Sequence, residues 1–199
     1  MMRAVARYVN TCWPTVVDMR RSSAETKALI LAKARERFGT AGFQAATIRA
    51  IAADAGVDPA MVMRYFGTKD QLFAAAAEFD LRLPDFAPAD RGRLGPLLVG
   101  HFLRRWEGGD DALVILLRCS ATNNVAAQRM RDIFGIQLQP LVAAWAPPGE
   151  AGKRAGLIAT QILGLALCRF VLRLPPVVDM SQDEVVEWLG PTIQRYLDD

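Results

Sequence analysis

The chain has 199 residues, 52% hydrophobic and 23% charged, so it holds enough apolar material for a sizeable core, and its composition excludes a disordered chain. Its three cysteines, Cys12, Cys119 and Cys168, lie too far apart for metal-ligand or redox spacing and fit a reduced, cytoplasmic protein. The net charge of +3 is uneven: Arg20 to Gln71 hold nine Lys/Arg against five Asp/Glu, whereas residues 72–199 hold 13 against 15, so the positive field lies in the N-terminal third, where a polyanion would be met.

Residues 1–21 contain no clean signal-peptide core, because Asn10, Pro14 and Asp18 interrupt the apolar stretch. They are expected to form a mobile extension, or an over-long start ahead of Met19. Ser22-x-x-Glu25 is a capping box that opens a first helix, with Ile30, Leu31, Ala34 and Phe38 on one face and Gly39 and Gly42 ending it. Thr47 caps a second helix that buries Ile48, Ile51, Ala52 and Ala55 and turns Arg49 outward. Gly56 supplies a left-handed turn residue, and Asp58-Pro59 caps and begins a third helix. Thr68-x-x-Gln71 opens a fourth helix expected to run toward Phe79. After a loop rich in Pro, Asp and Gly, longer helices are expected near 92–107, 110–121, 124–145, 150–173 and 181–197, with Pro96, Pro140 and Pro191 starting or kinking them. The apolar stretch Leu157–Leu172 is read as too short and too polar for a membrane span.

The fold class is therefore all-α: a three-helix head over 22–80 joined through the fourth helix to a helical bundle over 81–199. Two short helices joined by Ala55-Gly56-Val57 match a helix-turn-helix. Helical phase turns Ala60, Met61 and Arg64 toward a major groove, beside Arg49. The two arginines can each donate twice to guanine, and Ala60 and Met61 suit thymine methyl groups. Thr47, Tyr65 and Lys69 suit phosphate contacts. The partner expected from these residues is double-stranded DNA.

The string ILAKARERFGTAGFQAATIRAIAADAGVDPAMVMRYFGTKDQLF, Ile30 to Phe73, resembles the DNA-binding head of the tetracycline-repressor (TetR/AcrR) family. The resemblance rests on Phe38, Gly42-Phe43, Thr47, Ile51-Ala52, Ala55-Gly56-Val57, Tyr65-Phe66 and Lys69 in combination. Met63 departs from it, standing where the family usually has a phosphate-binding tyrosine. The resemblance implies a cytoplasmic homodimer whose heads each read a half-site of a palindromic operator, and whose bundle binds a small-molecule inducer. No cofactor or metal is implied.

Gly156, Thr160, Gly164 and Cys168 form a stripe of small residues at four-residue steps. Such a stripe serves packing inside one monomer or between two; the resemblance favours a subunit interface, to which Trp188 and Leu189 of the last helix would add apolar surface. Trp106, Arg118, Phe134 and Gln161 come from four helices and are candidates for a mainly apolar pocket, with a hydrophobic or aromatic ligand whose negative group meets Arg118. Arg118 and Gln161 equally fit pairing with Asp or Glu. His101 reads as a packing histidine. No nucleophile–base or metal constellation supports an enzyme, and the main rival is a structural, chromosome-organising DNA-binding protein without an inducer.

Overall fold

The computed structural model describes residues 21–108 and 112–198, so of the expected N-terminal extension only Arg21 lies among the described residues. Helix α1, Ser23–Ala45, starts at the capping box: the Ser22 hydroxyl accepts from the Glu25 N–H at 3.1 Å, and the Glu25 carboxylate accepts from the Ser22 N–H at 2.7 Å. Its buried face is Ile30, Ala34 and Phe38. Gly39 does not end this helix as expected; it stays helical and faces Ile115 across the contact with the bundle. The break falls at Gly42, whose φ of +73° is a conformation that only glycine adopts without strain.

Helices α2, Ile48–Ala55, and α3, Pro59–Phe66, are joined through Gly56 in the left-handed region. Phe38, Phe43 and Phe73 form the aromatic core beneath them, with the Phe38 and Phe73 rings edge-to-face at 5.0 Å. Helix α4, Lys69–Ala76, is shorter than the expected helix toward Phe79. Beyond it the chain is irregular, with Phe79 and Leu81 buried in the bundle. Two side chains satisfy the Leu81 backbone: Gln137 accepts from its N–H at 2.7 Å, and His101 Nε2 lies 2.8 Å from its carbonyl oxygen. These bonds replace the helical ones and hold the head to the bundle through a strap instead of a continuous helix.

A 3₁₀ turn, Pro88–Arg93, leads into α5, Leu94–Glu107, followed by α6, Ala112–Ser120, and α7, Asn124–Ile133. A π turn, Phe134–Leu138, joins α7 to α8, Gln139–Ala143. The expected 124–145 helix is thus interrupted just ahead of Pro140, which lacks the N–H that an α-helical ladder would use. Helix α9, Ala151–Ala166, runs on through a second π turn, Leu167–Val171. Then come α10, Pro175–Asp179, which the sequence pattern did not announce, and α11, Gln182–Leu197.

Helix α11 packs along α5, and the crossing is close because both sides present glycine. A Cβ on Gly95 would lie 2.3 Å from the Gly190 carbonyl oxygen, and one on Gly190 would lie 2.9 Å from Pro96. Gln194 ties the crossing, accepting from the Gly95 N–H at 2.8 Å and donating to the Arg91 carbonyl at 2.9 Å.

With its π turn, α9 spans 21 residues and is long and apolar enough, by length and composition, to cross a membrane. The expectation that this stretch is too short is corrected. What the structure supplies instead is polar fastening at each end. Arg154 binds Glu150 at 2.7 Å and the Tyr196 carbonyl at 3.2 Å; Arg169 binds the Val177 and Met180 carbonyls at 2.6 and 2.8 Å.

Candidate nucleic-acid interface

The helix-turn-helix is built by local capping. Thr47 accepts from the Ala50 N–H at 3.1 Å, which leaves its hydroxyl proton free to donate to a phosphate. Asp58 accepts from the Ala60 N–H at 2.7 Å and starts α3. Val62 is the buried contact of α3, and Tyr65 and Phe66 are half-buried. Ala60, Met63 and Arg64 are exposed on one face, and Arg49 is exposed on α2. Met61, expected to face the groove, is half-buried, and Met63 is the more exposed of the two at 45%. Met63 lies three residues from Ala60, a spacing that puts both near the exposed side of α3.

Arg37 and Asp54 lock α1 to α2 beside this face, with a guanidinium nitrogen 2.8 Å from the carboxylate. The hydrogen bonds from Arg37 hold the Asp54 carboxyl below the usual carboxylate range. Because this pKa is depressed in the folded state, the bridge is present above the unfolded value and is lost as pH falls through the folded one. Carboxyl NMR should place the Asp54 midpoint below those of free aspartates, and Arg37→Gln should return it to the ordinary range. An unchanged midpoint in that variant would remove the bridge as the cause.

Two of the expected phosphate contacts are engaged within the chain. The Tyr65 phenol is held below its ordinary pKa by a hydrogen bond with Ser23 and by the neighbouring Arg64, whose guanidinium lies 5.2 Å from the ring centre. The Lys69 ammonium donates to the Gln44 carbonyl at 3.3 Å and sits 4.4 Å from the centre of the Phe43 ring. Phe43 and Gln44 were not among the expected site residues; the contact joins elements far apart in sequence, so no local pattern announces it. Lys69 retains two ammonium hydrogens for other acceptors.

The four expected ligand residues do not converge. Trp106 and Arg118 line one cavity of about 390 Å³, with Arg35, Glu36 and Thr40 of α1 and with Phe170. Phe134 lies in the π turn after α7, and Gln161 lines a separate groove between α9 and α11. The helices do not meet at one point, so residues in similar apolar contexts end on different faces. Among the described residues Arg118 is paired neither with Asp nor with Glu: its guanidinium donates to the Gly39 carbonyl of α1.

The α9–α11 groove, about 300 Å³, is lined by Thr160, Gly164, Cys168, Trp188 and Leu189 of the expected interface. Among the described residues Gly156 and Gly164 face open space, because a Cβ on either would meet no atom within 4 Å. Trp188 is 74% exposed, and Leu157, Leu167, Leu172 and Leu174 are exposed as well. An apolar surface of this kind is the sort that a protein partner covers.

Residues 30–76 match the family model of bacterial regulatory proteins of the tetR family, and residues 92–197 match the tetracyclin repressor-like C-terminal domain. The HTH-type transcriptional repressor AcnR of Corynebacterium jeikeium (strain K411) is 35% identical over 88 residues, 43% of this chain and 47% of that protein. That match spans about half of the curated relative's length. A solved TetR-family regulator from Streptomyces coelicolor is similar over 90% of this chain and 99% of its own, with 27% identity and a TM-score of 0.58. A tetR-family transcription regulator from Shewanella sp. PV-4 shares the fold at 18% identity, with a TM-score of 0.63, over 89% of this chain and 97% of its own.

Proposed function

This chain belongs to the TetR family of bacterial regulatory proteins, and from that premise we propose that it is a ligand-responsive repressor that binds a palindromic operator as a cytoplasmic homodimer. The observation that carries the reading is the exposed set Arg49, Ala60, Met63 and Arg64 on two capped helices of a helix-turn-helix. Arg49 and Arg64 read guanines, Ala60 and Met63 lie against thymine methyl groups, and Thr47, Tyr65 and Lys69 hold the backbone. Met61, half-buried at the edge of this face, remains a candidate for a methyl contact. The head is the unit 22–80 and the bundle the unit 81–199. Two bundles join through α9 and α11, with Gly156, Thr160, Gly164, Cys168, Trp188 and Leu189 at the contact, so that two heads meet successive half-sites. A small molecule in the bundle favours an arrangement in which the heads no longer match that spacing, and the DNA-competent population falls.

Selection of DNA sites from a random pool should enrich a palindrome, and titration of that site tests the residues. Arg49→Ala and Arg64→Ala should each cost about 1–3 kcal/mol and relax preference at one position per half-site. Lys69→Ala should weaken all sequences alike and flatten the salt dependence. A pool that enriches no sequence, with binding set by salt alone, would overturn sequence-specific repression and favour a structural DNA-binding role.

A further inference from the structure

The cavity that holds Trp106 and Arg118 lies between the head and the bundle, because Arg35, Glu36, Gly39 and Thr40 of α1 form one of its walls. Its opposite wall is apolar, with Ile115 of α6 beside Trp106 and Phe170, whose rings meet edge-to-face at 5.6 Å. Its charges do not cancel internally. Glu36 is bound to Lys33 at 2.9 Å. Arg35 donates through Nε to the Ala76 carbonyl at 3.0 Å, and Arg118 donates to the Gly39 carbonyl. Among the described residues neither arginine has a carboxylate partner. A guanidinium carries five N–H donors, so both have donors to spare. Trp106 is 7% exposed, and its indole N–H is buried without an acceptor. Natural structures satisfy such groups, and a bound acceptor is one way to do it.

We propose that this cavity binds a small carboxylic acid with an aromatic or acyl body, and that the ligand's carboxylate takes Arg118 from the Gly39 carbonyl. The proposal rests on the repressor reading above and deepens it. The volume of about 390 Å³ suits a molecule of this size. The apolar body lies against Phe170 and Ile115, while the carboxylate lies between Arg118 and Arg35, where charge-assisted and bidentate bonds are strong, and also accepts from the Trp106 indole N–H. Gly39 stands three residues before the Gly42 break in α1, from which the chain turns toward α2. Withdrawing Arg118 from it loosens α1 from α6, and the head thereby gains freedom relative to the bundle. By linkage, bound operator must then lower the affinity for the acid by the same factor that the acid lowers affinity for operator.

The probes are 4-phenylbutyrate and octanoate, each beside its uncharged primary amide, titrated into the full chain by calorimetry. Tryptophan indole N–H resonances are followed in parallel, with that of Trp106 assigned through Trp106→Phe. At least one acid should bind ten-fold or more tightly than its amide and should move the Trp106 resonance. Arg118→Gln should abolish the preference for acid over amide while helicity stays unchanged. If that variant unfolds, Arg35→Gln gives the same comparison, and the wild-type indole signal still decides. Equal binding of acid and amide, a preference that survives loss of the guanidinium, or a Trp106 resonance that stays still under both acids would overturn the site. Binding that leaves operator affinity unaltered would overturn the transfer of Arg118. Failure to bind any operator without ligand is a different result, which sinks the repressor reading and leaves the site standing on its own titrations.

Discussion

Gly95→Ala is expected to destabilise the bundle severely, although it adds a single methyl group. The new Cβ would stand 2.3 Å from the Gly190 carbonyl oxygen and 2.4 Å from the Gln194 backbone nitrogen, and both are backbone atoms of α11. No rotamer relieves such a clash, so α11 must move away from α5. That movement also breaks the 2.8 Å bond from the Gly95 N–H to Gln194. Overpacking of this kind costs about 1–3 kcal/mol, and a backbone–backbone clash belongs at the upper end or beyond. Urea unfolding should show a clearly lowered midpoint with an unchanged slope. Gly92→Ala is the control in the preceding turn, because a Cβ there meets nothing within 4 Å. Equal midpoints for the two variants would mean that the α5–α11 crossing is looser than its geometry.

The same chemistry at Gly164 should give the opposite outcome. A Cβ there meets nothing within 4 Å among the described residues, so Gly164→Leu should leave monomer helicity and cooperative unfolding intact. The added side chain instead projects into the groove beside Trp188 and Leu189, where a second copy is proposed to dock. An overpacked contact costing about 1–3 kcal/mol raises the dimer dissociation constant by roughly five- to 150-fold. Light scattering at micromolar concentration should therefore report a shift from dimer toward monomer, with circular dichroism unaltered. Operator affinity should fall in parallel, since one head alone meets one half-site. A variant that remains wholly dimeric would move the interface away from the stripe, and one that unfolds would return Gly164 to the monomer core.

The two glycines also separate what local pattern tells from what it cannot. Ser22, Thr47, Asp58 and Thr68 announce the starts of α1 to α4 in the sequence, and Gly56 announces the turn between α2 and α3. Each of these interactions closes within four residues, as the bonds from Glu25, Ala50, Ala60 and Gln71 back to their caps attest. The head was legible for that reason, down to the outward Arg49 and Arg64. Within it, the sequence favoured Met61 for the outer face, and the packing of α3 leaves Met63 the more exposed of the two.

Beyond the head, tertiary contacts decided. The end of α4 at Ala76 depends on Gln137 and His101 satisfying the backbone of Leu81, from 56 and 20 residues away. The close approach of α5 to α11 depends on Gly95 meeting Gln194, 99 residues on. Gly95 and Gly164 look alike in sequence, each a small residue in a helix; one is pressed against backbone and the other faces open space. The scatter of Trp106, Arg118, Phe134 and Gln161 has the same origin. Helical period by itself determined which residues turn inward from each helix, whereas the crossing of whole helices decided which of them share a cavity, because period fixes a direction about one axis and says nothing of where the next axis lies.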